Sequence, residues 1–128
     1  MNMHALKNLL AVALLCVLPA AAFADPTGNW AGSVTRGNDQ VTVRATFNGK
    51  KVNLVFAGGA ACQIDARYDK PDGRALTYRF DVAPPNSPPF CDDLADSVLE
   101  LAYTEGDDTM DISFKSSGKW SGTLGKQG

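Results

Sequence analysis

The chain has 128 residues, with twelve basic and fourteen acidic side chains, a net charge of −2, one histidine and three cysteines. That length suits one domain. A charge so small and so dispersed excludes a basic surface for nucleic acid or an anionic membrane.

The first 24 residues read as a cleaved export signal. Lys7 gives a positive start, the run from Leu9 to Leu18 is apolar, and Pro19 ends it. Ala22-Phe23-Ala24 then places small residues at the −3 and −1 positions, so cleavage is expected before Asp25. Cys16 could suggest lipidation, but Leu15 stands where a small residue is required. The remaining segment, 25–128, keeps all fourteen acids and eleven of the bases, a net charge of −3. It has no further apolar run near the ~20 residues of a membrane helix. A soluble monomer in the periplasm, or outside the cell, is expected.

Processing also decides the chemistry. His4, the only histidine, leaves with the signal, so no imidazole remains for a triad, a Cys–His pair or a histidine-ligated zinc. Cys62 and Cys91 remain, and two cysteines in an exported chain are expected to form one disulfide. No enzyme, no cofactor and no metal site is expected.

Along 25–128, apolar residues recur with a period of two rather than 3.6. Trp30–Thr35 is a weak first strand. Val41, Val43, Ala45 and Phe47 then alternate with Thr42, Arg44 and Thr46. Val52–Ala57 follows, and Cys62, Ile64, Ala66 and Tyr68 alternate with polar residues after it. Leu76, Tyr78, Phe80 and Val82 form the next apolar face, Ser97–Tyr103 a weaker one. Met110, Ile112 and Phe114 precede a last run, Trp120–Leu124. Turn residues separate them: Gly37-Asn38, Asn48-Gly49, Gly58-Gly59, Asp72-Gly73, Gly106-Asp107 and Ser117-Gly118. Eight strands joined mostly by short turns predict an all-β, antiparallel up-and-down barrel, with a two-sheet sandwich as the alternative. The outward faces carry Thr, Arg, Asp and Lys, which is incompatible with a lipid-facing barrel.

Gly28-Asn29-Trp30 resembles the G-x-W opening of the calycin group, the lipocalin, avidin and fatty-acid-binding barrels. The resemblance implies that Trp30 closes one end of the barrel and that a basic residue after the last strand, Lys126, packs over it. No ligand is carried over. The first and last strands also share a pattern, Trp30-x-Gly32-x-Val34 and Trp120-x-Gly122-x-Leu124, which reads as a seam where glycine allows close approach.

In a meander, alternate loops fall at opposite ends. Asn48–Lys51, Asp69–Arg74 and Thr104–Asp108 form one end. Arg36–Gln40, Ala57–Ala61, Ala83–Asp96 and Lys115–Lys119 form the other, which is the open mouth in calycin barrels. A bridge from Cys62 to Cys91 would pin the long loop, Ala83–Asp96, across that mouth as a lid. Its Ala-Pro-Pro-Asn-Ser-Pro-Pro-Phe sequence reads as a stiff, partly polyproline segment in which neither helix nor strand is expected.

The candidate binding residues are Arg36, Phe90, Ser116, Ser117, Lys119 and Trp120, all at the mouth. Phe90 either anchors a partner or packs against the disulfide. A Ser–Lys nucleophile is not expected, because nothing near Lys119 would depress its pKa. The acids Asp92, Asp93 and Asp96 lie at the opposite end from Glu105, Asp107 and Asp108, and neither set fits a calcium loop. The build is similar to that of small β-barrel lysozyme inhibitors, which present serine and lysine to an acidic cleft. The expected function is non-catalytic binding of another protein through the mouth. The alternatives are carriage of a small apolar ligand in the interior, which requires a hollow core, and a structural envelope role.

Overall fold

The computed structural model describes residues 25–128, so the export signal expected over 1–24 lies outside the described residues. Eight strands follow in chain order: β1 (Gly28–Arg36), β2 (Asp39–Asn48), β3 (Lys51–Gly58), β4 (Cys62–Asp72), β5 (Ala75–Phe80), β6 (Val98–Ala102), β7 (Thr109–Lys115) and β8 (Lys119–Lys126). Each pairs antiparallel with the next, and β8 returns to pair with β1. The barrel is closed. The sandwich alternative is not the fold.

Alternation sets the wall. In β2 the buried residues are Val41, Val43, Ala45 and Phe47, and every residue between them is exposed. The same period buries Val52, Leu54 and Phe56 in β3 and Met110, Ile112 and Phe114 in β7. A one-residue slip would turn each of these sets to water, so the apolar pattern fixes the register.

Strand ends differ from the expected bounds by a residue or two in most strands, and two departures have a visible cause. β4 continues past Tyr68 to Asp72 because a bulge between Tyr68 and Lys70 absorbs the break in alternation. β5 ends at Phe80, and Val82, expected to face inward, is 79% exposed. The last bond there joins the Asp81 N–H to the Asp65 carbonyl, after which the chain leaves the wall toward Pro84-Pro85.

At the seam, Gly32 lies opposite Leu124 and Gly122 opposite Val34. A Cβ on Gly32 would collide with the Thr123 carbonyl oxygen, and one on Gly122 with that of Ser33. The paired W-x-G segments thus close the barrel by bringing two backbones together without side chains between them.

The interior is occupied along its length by aromatic rings in edge-to-face contact. Trp30 meets Tyr103 at 5.7 Å between centroids near one end. Phe47, Tyr78 and Tyr68 form a second group. Phe80 meets Phe114, which contacts Phe56 and Phe90, and Phe90 reaches Trp120 at 5.3 Å at the mouth.

The mouth is plugged by the lid. Contrary to expectation, the lid contains one helical turn, α1 (Pro89–Asp92). Proline is compatible with a first turn because its missing N–H would have no helical partner there. The N–H groups of Cys91 and Asp92 donate to the Pro88 carbonyl, and that of Asp93 to Pro89. Cys91 and Leu94 are fully buried, and Cys91 is bridged to Cys62 at the start of β4 with a Cα–Cα distance of 6.3 Å. The sequence separation of 29 corresponds to about 3.5 kcal/mol of loop-closure stabilisation in the chain-entropy model.

Candidate functional site

Between the lid and the two hairpins beside it lies a groove of about 380 Å³. It is lined by Arg36, Phe90, Ser116, Ser117 and Trp120 among the expected residues, and by Asp39, Gln40, Val41, Gly59, Ala60, Pro89 and Asp93 besides. Five of six candidate residues, drawn from three separate segments, converge there.

Arg36 organises it. As the last residue of β1 it sits opposite Asp39 across the Gly37-Asn38 turn, and its Nη2 meets Asp39 Oδ2 at 3.0 Å. Its Nη1 donates to the carbonyl oxygens of Ser116, at 3.3 Å, and Ser117. The guanidinium also lies over the Trp120 ring, 4.8 Å from its centroid. The hairpin it grips is a three-residue loop with Ser117 and Gly118 at positive φ (54° and 111°). A Cβ on Gly118 would press on Arg36 Cδ at 3.0 Å, so glycine serves both the turn and the arginine.

The β7–β8 hairpin then ties to the lid. The buried Ser116 hydroxyl donates to the Phe90 carbonyl at 2.9 Å, and the Ser117 hydroxyl to Asp93 Oδ2 at 3.0 Å. The Trp120 indole N–H donates to the Ser116 carbonyl at 3.0 Å. With these bonds made, the groove is held in shape before anything enters it, which lowers the ordering cost of binding.

Phe90 is half-buried, with its ring turned down onto Phe56 at 4.9 Å as well as onto Phe114 and Trp120. It forms part of the groove's apolar floor and of the barrel's plug. Lys119 stands apart. It is exposed on the outer wall opposite Lys115, in a separate cleft. Strand parity carries this information: the neighbour of an inward Trp120 must face out.

Comparison of the chain with protein-family models, with the curated proteins and with the solved structures finds no match.

At the opposite end, Trp30 is buried and its indole N–H donates to the Thr27 carbonyl at 2.9 Å. Gly28 opens β1 at a φ of 84°. Lys126 is the last residue of β8 rather than a residue beyond it, and lies directly across the seam from Trp30. Arg36 is six residues after Trp30, and Lys126 is six after Trp120, so the shared W-x-G pattern extends to a basic residue at each end. The lid acids lie at the mouth and the 103–108 acids at the other end. Among the described residues no three acids come together as a metal-ligand group.

On the outer wall at β3 and β4, Asp65 is locally compensated. It accepts from Asn53 Nδ2 at 2.9 Å and meets Lys51 at 3.2 Å. The Asn53 bond, then the lysine, hold its carboxyl below the usual range. Burial pushes the Tyr78 hydroxyl well above its usual pKa, and among the described residues that oxygen has no hydrogen-bond partner.

Proposed function

We propose that the chain is an exported, non-catalytic binding protein of calycin-like build that engages another protein, periplasmic or extracellular, through the groove at the mouth of the barrel. One contrast carries this reading. The interior is occupied by the protein's own aromatic side chains, whereas the mouth presents an open, preorganised groove with an apolar floor and polar rims. A carrier of small apolar ligands needs the reverse, a connected interior volume of ~300 Å³ or more. The disulfide is compatible with export. No helix among the described residues is long and apolar enough to cross a membrane.

The test is capture from periplasmic and secreted fractions with the native chain and two rim variants, Gln40→Arg and Gly59→Lys. Both positions are exposed, so neither change touches the core. The reading expects a specific protein retained by the native chain and lost from both variants at unchanged stability. Equal retention by all three sinks it. An apolar molecule released on denaturing the purified protein, detected by mass spectrometry, replaces it with the carrier reading.

A further inference from the structure

Adjacent strands of the barrel pair along most of their length, but two ladders stop short of the mouth: β4–β5, where Cys62 is bridged to the lid instead, and β6–β7. The β6–β7 ladder consists of Glu100↔Ser113, Leu101↔Ile112 and Ala102↔Asp111 only. Toward the mouth, Val98 and Leu99 of β6 still pair with β5, and Phe114 and Lys115 of β7 still pair with β8. They do not pair with each other. The ladder stops there, and a surface cleft of about 350 Å³ lies along the two strand ends. Phe114 and Leu99 beneath it are buried, so the cleft is a surface groove with the core closed behind it.

The second observation is electrostatic. Lys115 and Lys119 are directly opposite in the β7–β8 ladder and both face out beside the cleft. Like charges in that relationship repel. Among the described residues neither enters an ion pair, although the chain carries more acids than bases. Glu100, which also lines the cleft, lies farther from the mouth and pairs with neither lysine. An uncompensated lysine pair beside strands whose ladder has stopped is costly to the chain by itself and favourable to an acidic strand laid against it.

We propose that the unpaired end of the β6–β7 ladder is a docking groove for an extended acidic segment of a partner protein, whose main chain runs along β7 and whose carboxylates meet Lys115 and Lys119. An extended segment fits better than a compact anion because the cleft follows two strands, with the half-buried Val98 offering apolar contact beside the charges. Glu100 sets the polarity of the segment: its acidic residues lie toward the mouth, and neutral ones lie deeper. This site does not depend on the mouth groove, and its variants are different ones.

The test uses the ¹⁵N-labelled protein titrated with an eight-residue peptide alternating glutamate and valine. A lysine–valine peptide and free glutamate serve as controls. Saturable amide shifts confined to Val98–Glu100 and Ser113–Lys119 are expected with the acidic peptide alone, weakening as salt is raised. Lys119→Glu and Lys115→Glu should each weaken binding about tenfold. Both are exposed changes that turn the repulsive pair into an attractive one, so folding is retained. The proposal is overturned if shifts are absent or scattered, or if either variant binds as the native chain does. It is equally overturned if free glutamate reproduces the shifts, which would make the lysines a small-anion site, or if the lysine peptide binds as well.

Discussion

Arg36 and Trp120 form the mouth's counterpart of the relationship between Lys126 and Trp30: in each, a basic residue ending one seam strand lies beside the tryptophan opening the other. Only Arg36 is gripped on all sides, by the Trp120 ring, two hairpin carbonyls and Asp39. Arg36→Ala should therefore cost about 2 kcal/mol, combining a cation–π contact with charge-assisted hydrogen bonds. Arg36→Lys keeps the charge but loses the planar fork, and should recover less than half of that loss. Urea unfolding midpoints measure both. A loss within experimental error for Arg36→Ala would mean that the arginine is not what holds the hairpin.

The seam glycines make a sharper prediction. Gly122→Ala places a methyl group against the Ser33 backbone, where neither strand can move without breaking the β1–β8 ladder. The expected destabilisation is about 3 kcal/mol or more, with loss of soluble protein at 37 °C. Gly125→Ala, on the same strand, meets nothing closer than the Ala31 carbonyl at 4.0 Å. It should change stability by no more than about 0.5 kcal/mol. Equal effects at the two positions would contradict the close-approach argument.

The lid should respond to reduction as a unit. Its own Cys91 and Leu94 are buried, and the hydroxyls of Ser116 and Ser117 hold its inner edge. Replacing both cysteines by alanine should cost about 3 kcal/mol overall. Hydrogen exchange should accelerate most at the Cys91, Asp93 and Leu94 amides, with the β1–β2 ladder least affected. Uniform acceleration throughout the barrel would show that the bridge stabilises the whole wall rather than the lid.

How much of this was legible beforehand follows from where each residue stands. The strands were legible because one face of each is buried, so Val41 to Phe47 or Met110 to Phe114 announce themselves by alternation. The mouth was legible from loop parity and the position of Cys91. Asp93 in the groove was not, because an irregular loop carries no period. Which side chain turns inward there depends on the positive φ at Asp96 and on the disulfide. The helical turn at Pro89 was hidden because four prolines signal its absence until a first-turn position is considered. Lys119 was grouped with the groove by proximity in sequence to Ser117, although its parity with Trp120 sends it to the outer wall. The unpaired end of the β6–β7 ladder has no sequence signal, since β6 and β7 each alternate normally.

The buried hydroxyl of Tyr78 provides the last test. The residue is fully buried against Phe47 and Tyr68, and among the described residues its oxygen has no partner, so burial strips the hydroxyl of water without replacing it. Tyr78→Phe removes that oxygen and keeps the ring, and it should be neutral or stabilising by up to about 1 kcal/mol. The pH dependence has a definite sign. Burial raises the folded pKa of Tyr78 above its unfolded value, so the stability tied to its neutral form is complete below pH 10. Above that the unfolded chain releases the proton first, and stability falls as pH rises toward the folded pKa. Lys50, held up by its bond to Asp25, acts in the same direction on its own account. The phenylalanine variant should therefore keep the lysine's share of the alkaline loss and lack the tyrosine's. Urea unfolding at pH 8 and pH 11 separates the two: the native protein should lose more stability between them than Tyr78→Phe does. An identical loss in both would show that the hydroxyl ionises freely in the folded barrel and that water reaches it.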